Sequence, residues 1–244
     1  MSAPGVVYFV GTPIGNLADI TYRALDVLRR VDIVACEDTR HSARLLNHYN
    51  IRETNRVSLH EHNEAKRSDE LLQKIRDGKS IAVICDAGMP TISDPGLRFL
   101  QRLLANQLPY EVIPGPSAPI TALVGSGLPA DHFSFHGFLP PKKGAREREL
   151  QAALNSPHTN VFFETPHRIL STLDILARLD PTRPICVARE LTKKFEEFHR
   201  ATAAQTYEHY QKHPPKGEIV LIIAGTKIPK WLHLPENAPP DSNN

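Results

Sequence analysis

The sequence predicts two α/β domains, a doubly wound sheet in the first half and a mixed sheet in the second. Two observations carry this reading. Short runs rich in valine and isoleucine alternate with longer amphipathic segments, the rhythm of strands joined by crossover helices. Runs such as IAVIC at 81–85 are apolar at every position, as expected of strands covered on both faces in a parallel sheet.

The first-half strands are expected at 6–10, 33–36, 56–59, 81–85 and 110–113. Helices are expected at 21–30, where Ala24, Leu25, Val27 and Leu28 share one side, and at 64–76, with Asp77-Gly78 as the stop. A third is expected at 95–106, with Asp94 as N-cap and Pro95 in the first position. The turn Pro114-Gly115-Pro116-Ser117 breaks the chain before a helix at 118–126. Beyond it, strands are expected at 133–138, 161–164, 185–189, 195–200 and 219–224, with helices near 145–154, 167–179 and 202–211. The last two strands have only one short helix between them, and a mixed sheet is expected in this half. The domains are therefore drawn at 1–116 and 117–226, with a loosely held Pro- and Asn-rich tail at 227–244 anchored only by Trp231.

Composition is that of an ordinary globular protein, 41% hydrophobic and 23% charged over 244 residues. A net charge of +2 leaves no overall positive field, so nucleic-acid binding needs a local basic face. Three cysteines without paired spacing argue against a disulfide framework and fit a reducing, cytoplasmic setting. With no CxxC or HExxH, no metal site is expected, and no run approaches the roughly 20 apolar residues that span a bilayer.

In a doubly wound sheet, ligands bind beyond the carboxyl ends of the strands. Here five consecutive strands empty into polar or glycine-bearing loops: GTPIGN at 11–16, EDTR at 37–40, HEHNE at 60–64, DAGMPTISDPG at 86–96 and PGPS at 114–117. The fourth is the most informative, because its glycines let backbone approach a ligand and its prolines fix the path between. GTPIGN is neither GxGxxG nor a Walker loop, so it is weak support for a phosphate site. Glu37, Asp38 and Arg40 fit either substrate contact or a solvated turn, and His60, His62, Asn63 and Glu64 either a site or a helix cap. In the second half, Glu164 and Glu190 could orient ribose-like hydroxyls and neighbouring Arg and Lys contact phosphates, or Arg189 and Glu190 could pair with each other or with Glu164. Lys142, Lys143, Arg146 and Arg148 form a compact basic patch or a solvated loop.

Nine motifs then occur in order: VGTPIGNLADIT, ACEDTRHSARLL, LHEHNE, DAGMPTISDPG, IPGPSAPITAL, HGFLPPK, FFETPHRI, ARELTKKFEE and KGEIVLII. Together they resemble the bacterial 16S rRNA (cytidine-2′-O)-methyltransferases of the tetrapyrrole-methylase-like superfamily. The resemblance spans nearly all of the first 225 residues. It implies S-adenosylmethionine (SAM) held in a cleft between the two domains, a homodimer, and a cytidine of 16S rRNA, in the assembled small subunit, as target. By motif, the donor contacts would be Asp86, Ala87, Gly88, Met89, Thr91, Ile92, Ser117, Ala118, Phe163, Glu164, Ala188, Arg189, Gly217 and Glu218. Met89 stands where threonine is common in the family, which leaves a backbone contact there but no hydroxyl.

Methyl transfer to a ribose hydroxyl needs alignment and a proton acceptor. Glu37, Asp38, His60 and Glu61 are the candidates, and the sequence does not choose among them. Arg40, Lys142, Lys143, Arg146, Arg168 and Lys193 would hold RNA phosphates. The alternatives are a tetrapyrrole methyltransferase of the same fold and a non-catalytic RNA- or nucleotide-binding module.

Overall fold

The structure, a computed structural model, describes residues 3–51 and 54–228. The expected tail, Trp231 included, lies outside the described residues from 229 onward. The chain divides into two compact units, one ending at Ser117 and the other beginning at Ala118.

The first unit is a five-stranded sheet of β1 (Val7–Val10), β2 (Ile33–Cys36), β3 (Asn55–Ser58), β4 (Ile81–Ile84) and β5 (Tyr110–Ile113). The strand order is β3-β2-β4-β1-β5, and every pair is parallel. Helices α1 (Tyr22–Arg30) and α2 (Thr39–His48) cover one face, where Val27, Leu28 and Leu46 pack on Val10, Val34 and Ile84. Helices α3 (Glu64–Arg76) and α4 (Leu97–Ala105) cover the other, where Leu72, Ile75, Phe99 and Leu103 meet Phe9, Ala35 and Val83. Burial on both faces is why β2 and β4 read as unbroken apolar runs.

Two local expectations need correction. Helix α2 was not anticipated; its sequence, TRHSARLLNH, buries only Ser42, Leu45 and Leu46, too thin an apolar stripe to declare itself. It starts because the Asp38 side chain accepts from Arg40 N–H at 2.8 Å. Helix α4 starts at Leu97, and its N-cap is Gly96 at φ 117°, not Asp94. Its free amides are satisfied from another helix: buried Glu64, at the start of α3, accepts from Gly96 N–H at 3.1 Å and Phe99 N–H at 3.0 Å through one oxygen. A carboxylate suits the positive end of a helix and releases Asp94 for another task.

The second unit holds β6 (Phe133–Phe138), β7 (Thr159–Glu164), β8 (Pro184–Arg189), β9 (Glu197–Thr202) and β10 (Ile219–Ile223) in the order β6-β7-β10-β8-β9. Only β6 and β7 are parallel, so the sheet is mixed. Helices α6 (Lys143–Asn155), α7 (Ile169–Leu179) and α8 (Ala203–Lys212) bury Leu150, Leu173, Leu176 and Tyr210 against Phe162, Val187 and Leu221 on one face. Helix α5 (Ala118–Ser126) packs on the sheet through β7, β8 and β10. Strand β9 begins two residues later than expected, because 191–195 form a turn that leaves Phe195 65% exposed. No helix among the described residues is long and apolar enough to cross a membrane.

Glu64→Ala leaves two buried amides without an acceptor, so it is expected to cost about 2–3 kcal/mol in urea unfolding. Glu64→Gln keeps a side-chain oxygen and should cost clearly less; equal losses would show that the two amides are not held by this oxygen.

Candidate active site

In the first unit, the loops after β1, β4 and β5 join. Thr12 and Gly88 exchange backbone hydrogen bonds of 2.9 and 3.1 Å, and Gly11 N–H donates to Ile113 O at 3.0 Å. Thr12 Oγ1 donates to Cys85 O at 3.2 Å. A Cβ on Gly11 would lie 2.7 Å from Gly115 Cα and 2.7 Å from Met89 Sδ, and one on Gly115 would lie 2.9 Å from Gly11 Cα. Backbone touches backbone here, and only glycine permits it.

The 86–96 loop continues this junction in unusual conformations. Gly88, Thr91, Ser93 and Gly96 have φ of 82°, 74°, 63° and 117°. The left-handed Thr91 and Ser93 cost on the order of 1–3 kcal/mol each, a strain that functional loops tend to carry. Turn bonds from Ile92 N–H to Met89 O and from Thr91 N–H to Pro95 O, both 3.3 Å, hold the path. Ala87 and Ile92 are exposed, whereas Asp86, Met89, Thr91 and Ser117 are half-buried.

Carboxylates gather at the same strand ends. Asp86 Oδ1 accepts from Asp38 N–H at 3.3 Å, tying the loop after β4 to the loop after β2. Burial, and then the charge of Asp86, hold the Glu37 carboxyl above its usual range. Burial, reinforced by Glu37 and Asp86, pushes Asp94 up to about 6. Asp38 behaves oppositely: hydrogen bonds from the Arg40 side chain and backbone hold it low, and its carboxylate is spent on that contact. Glu61 is exposed; His60 is half-buried, with its Nδ1 lacking a partner among the described residues. Of the four proton-acceptor candidates, Glu37 alone combines partial burial with raised basicity. Asp94 was read as a helix cap, and only the three-dimensional arrangement reveals it as a fellow of Glu37.

In the second unit the structure redirects several side chains. Glu164 is buried; it accepts from Thr172 Oγ1 and Thr165 N–H, both at 2.8 Å, and pairs with Arg168 at 2.7 Å. It anchors α7, and its side chain is fully buried among these partners. Arg168 also donates to Leu139 O at 3.1 Å. Arg146 is 5% exposed and donates to Pro141 O at 3.3 Å and Ser171 Oγ at 2.9 Å. Lys193 bridges Glu190 at 3.0 Å and Glu218 at 2.8 Å. Arg146, Arg168 and Lys193 are thus structural cations, not open phosphate contacts. Arg189 pairs with Glu197 across β8 and β9, a partner the sequence did not suggest. Of the six expected RNA contacts, Arg40, Lys142 and Lys143 stand exposed. Among the donor contacts, Ala188 is buried, Phe163 is half-buried beside Phe135 and Phe138, and Gly217 has φ 85° with its α-carbon against the Glu190 carboxylate. Glu218 N–H donates to Glu190 at 3.0 Å, and Ala118 opens α5.

The sequence profile of the tetrapyrrole (corrin/porphyrin) methylases matches residues 6–206. The ribosomal RNA small subunit methyltransferase I of Escherichia coli O157:H7 is 44% identical over 229 residues, 93% of this chain and 80% of that protein. Its namesake from Thermotoga maritima is 42% identical over 91% of this chain and 99% of its own length. Among solved structures, uroporphyrin-III C-methyltransferase from Thermus thermophilus, in complex with S-adenosyl homocysteine, superposes with a TM-score of 0.63 at 21% identity, over 90% of this chain and 97% of that one. That last likeness shows the fold alone, while the profile and the close relatives settle kinship: the chain belongs to the tetrapyrrole (corrin/porphyrin) methylase family.

Proposed function

We propose that this protein transfers the methyl group of SAM to the ribose 2′-hydroxyl of a cytidine in the 16S RNA of the assembled small ribosomal subunit. The observation that carries the reading is the likeness, at 42–44% identity over nine-tenths of the chain, to proteins named for methylating small-subunit ribosomal RNA. The cytidine, the 2′-oxygen, a homodimeric state and a cytoplasmic setting rest on the motif resemblance. The tetrapyrrole reading draws on fold likeness at 21% identity, which does not reach to substrate.

The first unit's loop junction fits the donor. SAM is a sulfonium carrying an ammonium, and Glu37, Asp86 and Asp94 concentrate negative charge where Gly11, Gly88 and Gly115 bring backbone to the surface of the strand ends. Asp86, Ala87, Gly88, Met89, Thr91, Ile92 and Ser117 would hold it. When bound, SAM supplies an electrophilic methyl whose sulfur leaves neutral.

We assign Glu37 as proton acceptor. It takes the hydroxyl proton as the oxygen gains the methyl group, so the ribose never carries a full negative charge. Burial and the charge of Asp86 keep Glu37 basic, and the carboxylates together favour a cation beside them. Arg40, Lys142 and Lys143 remain to meet phosphates, a small set that suits a protein of net charge +2.

The test offers labelled SAM with undermethylated small subunits in one tube and a porphyrinogen in another. Label in an alkali-resistant, cytidine-containing dinucleotide is expected; label in the porphyrinogen, or in a base, would overturn the reading. Glu37→Gln should lower kcat by about 10²- to 10⁴-fold while leaving the Kd for SAM within a few-fold. A kcat near wild type would remove Glu37 from the mechanism. Asp94 has a folded pKa of about 6 against an ordinary 3.8. Its protonated form therefore adds stability that is full below about pH 4 and lost as pH rises through 6. Asp94→Asn, neutral throughout, is expected to gain on wild type in Tm across that window and to be the more stable protein at pH 8. Parallel Tm profiles from pH 4 to 8 would contradict the placement.

A further inference from the structure

On the second unit's helical face, a group of imidazoles takes no part in the reaction proposed above. Glu197 and His199, two apart on β9, project to the same side, and the register places them opposite Arg189 and Val187 of β8. Val187 belongs to the core under α6–α8, so this is the face opposite the one to which Ala188 points. His209 and His213 follow one turn apart at the end of α8. Both spacings, i and i+2 on a strand and i and i+4 on a helix, set side chains on one face.

Their contacts are close. One ligand atom from each of Glu197, His199 and His209 lies within 4.8 Å of the others. The His199 and His209 rings stack at 4.3 Å, and His209 Nε2 is 3.9 Å from Glu197 Oε1. His199 Nε2 is buried and has no hydrogen-bond partner among the described residues, nor has the neighbouring Tyr210 hydroxyl. Beside them lies a cavity of about 520 Å³ that Glu197, His209 and His213 help to line. Burial holds His199 down at about 4 and lowers His209 as well.

We propose that Glu197, His199 and His209 form a binding site for a borderline divalent cation of the Zn²⁺ type, with the fourth position facing the cavity beside His213. Two imidazoles and one carboxylate are a donor set that such ions accept, unlike the all-oxygen sets of Mg²⁺ or Ca²⁺. Arg189 pairs with Glu197 Oε2, which leaves Oε1 for the ion and orients it, as carboxylate partners outside a metal's ligands commonly do. Tetrahedral coordination at about 2.0–2.1 Å brings ligand atoms to roughly 3.4 Å of one another. The group must therefore close by about 1.4 Å at its widest, and His209 must tilt out of the stack, since both lone pairs lie in their ring planes. His209 is at the last turn of α8 with 31% of its side chain exposed, and the cavity gives it room.

The test titrates Co²⁺, then competing Zn²⁺, into chelator-stripped full-length protein. A single Co²⁺ per chain with tetrahedral visible absorption, displaced by Zn²⁺, is expected. His209→Gln should lose at least about tenfold in affinity, and a His60→Asn, His62→Asn double variant should bind like wild type. In the unaltered protein, Zn²⁺ should shift the ring nitrogen signals of His199 and His209 in two-bond ¹H–¹⁵N spectra and spare those of His60 and His62. Absence of stoichiometric binding at micromolar metal, undiminished binding by His209→Gln, or shifts confined to other histidines would each overturn the proposal.

Discussion

The first unit depends on one close approach, backbone against backbone at Gly11 and Gly115. With no side chain between them, the ends of β1 and β5 lie close enough for Thr12 to bridge across to Gly88 in the loop after β4. Three strand-end loops become one surface. A single methyl group at either glycine would have to occupy space held by the other's main chain, which does not yield as a flexible side chain does. Left-handed residues at 88, 91, 93 and 96 shape the return of the loop after β4 to α4.

Charge is arranged on the same ground. Carboxylates are kept together at the ends of β2 and β4, and the strain, burial first and mutual repulsion second, shows in the raised Glu37 and Asp94. The protein relieves part of it by assigning each group a separate duty: Asp38 to Arg40 and the start of α2, Glu64 to the start of α4, Asp86 to the Asp38 amide. What remains is an anionic patch at these strand ends, the ground on which we propose Glu37 as the base. The second unit follows a different economy, with its charged residues paired among themselves: Glu164 with Arg168, Arg189 with Glu197, Lys193 with Glu190 and Glu218.

Much of this was legible in the sequence for physical reasons. Strands buried on both faces leave long apolar runs, so β2, β4 and β10 announce themselves; the sheet is mixed because β9 turns back on β8 with no helix between them. The loop at 86–96 stood out because glycine and proline report backbone demands directly. What stayed hidden was pairing across distance. Nothing local told that Glu64 caps a helix some thirty residues on, that Arg146 lies buried beneath two proline carbonyls, or that Arg189 would find Glu197. Asp-Pro is good helix-start chemistry, yet the tertiary partner Glu64 takes the amides at the start of α4 in place of Asp94. Helix α2 was missed because its buried stripe is only three residues wide.

We propose that the joined loops after β1, β4 and β5 receive SAM. Amide ¹H–¹⁵N spectra recorded during a titration with SAM address it residue by residue. Saturable shifts are expected to concentrate at Gly11–Asn16, Asp86–Ile92 and Gly115–Ser117. Saturable binding that leaves those amides unmoved and shifts a different set would contradict it.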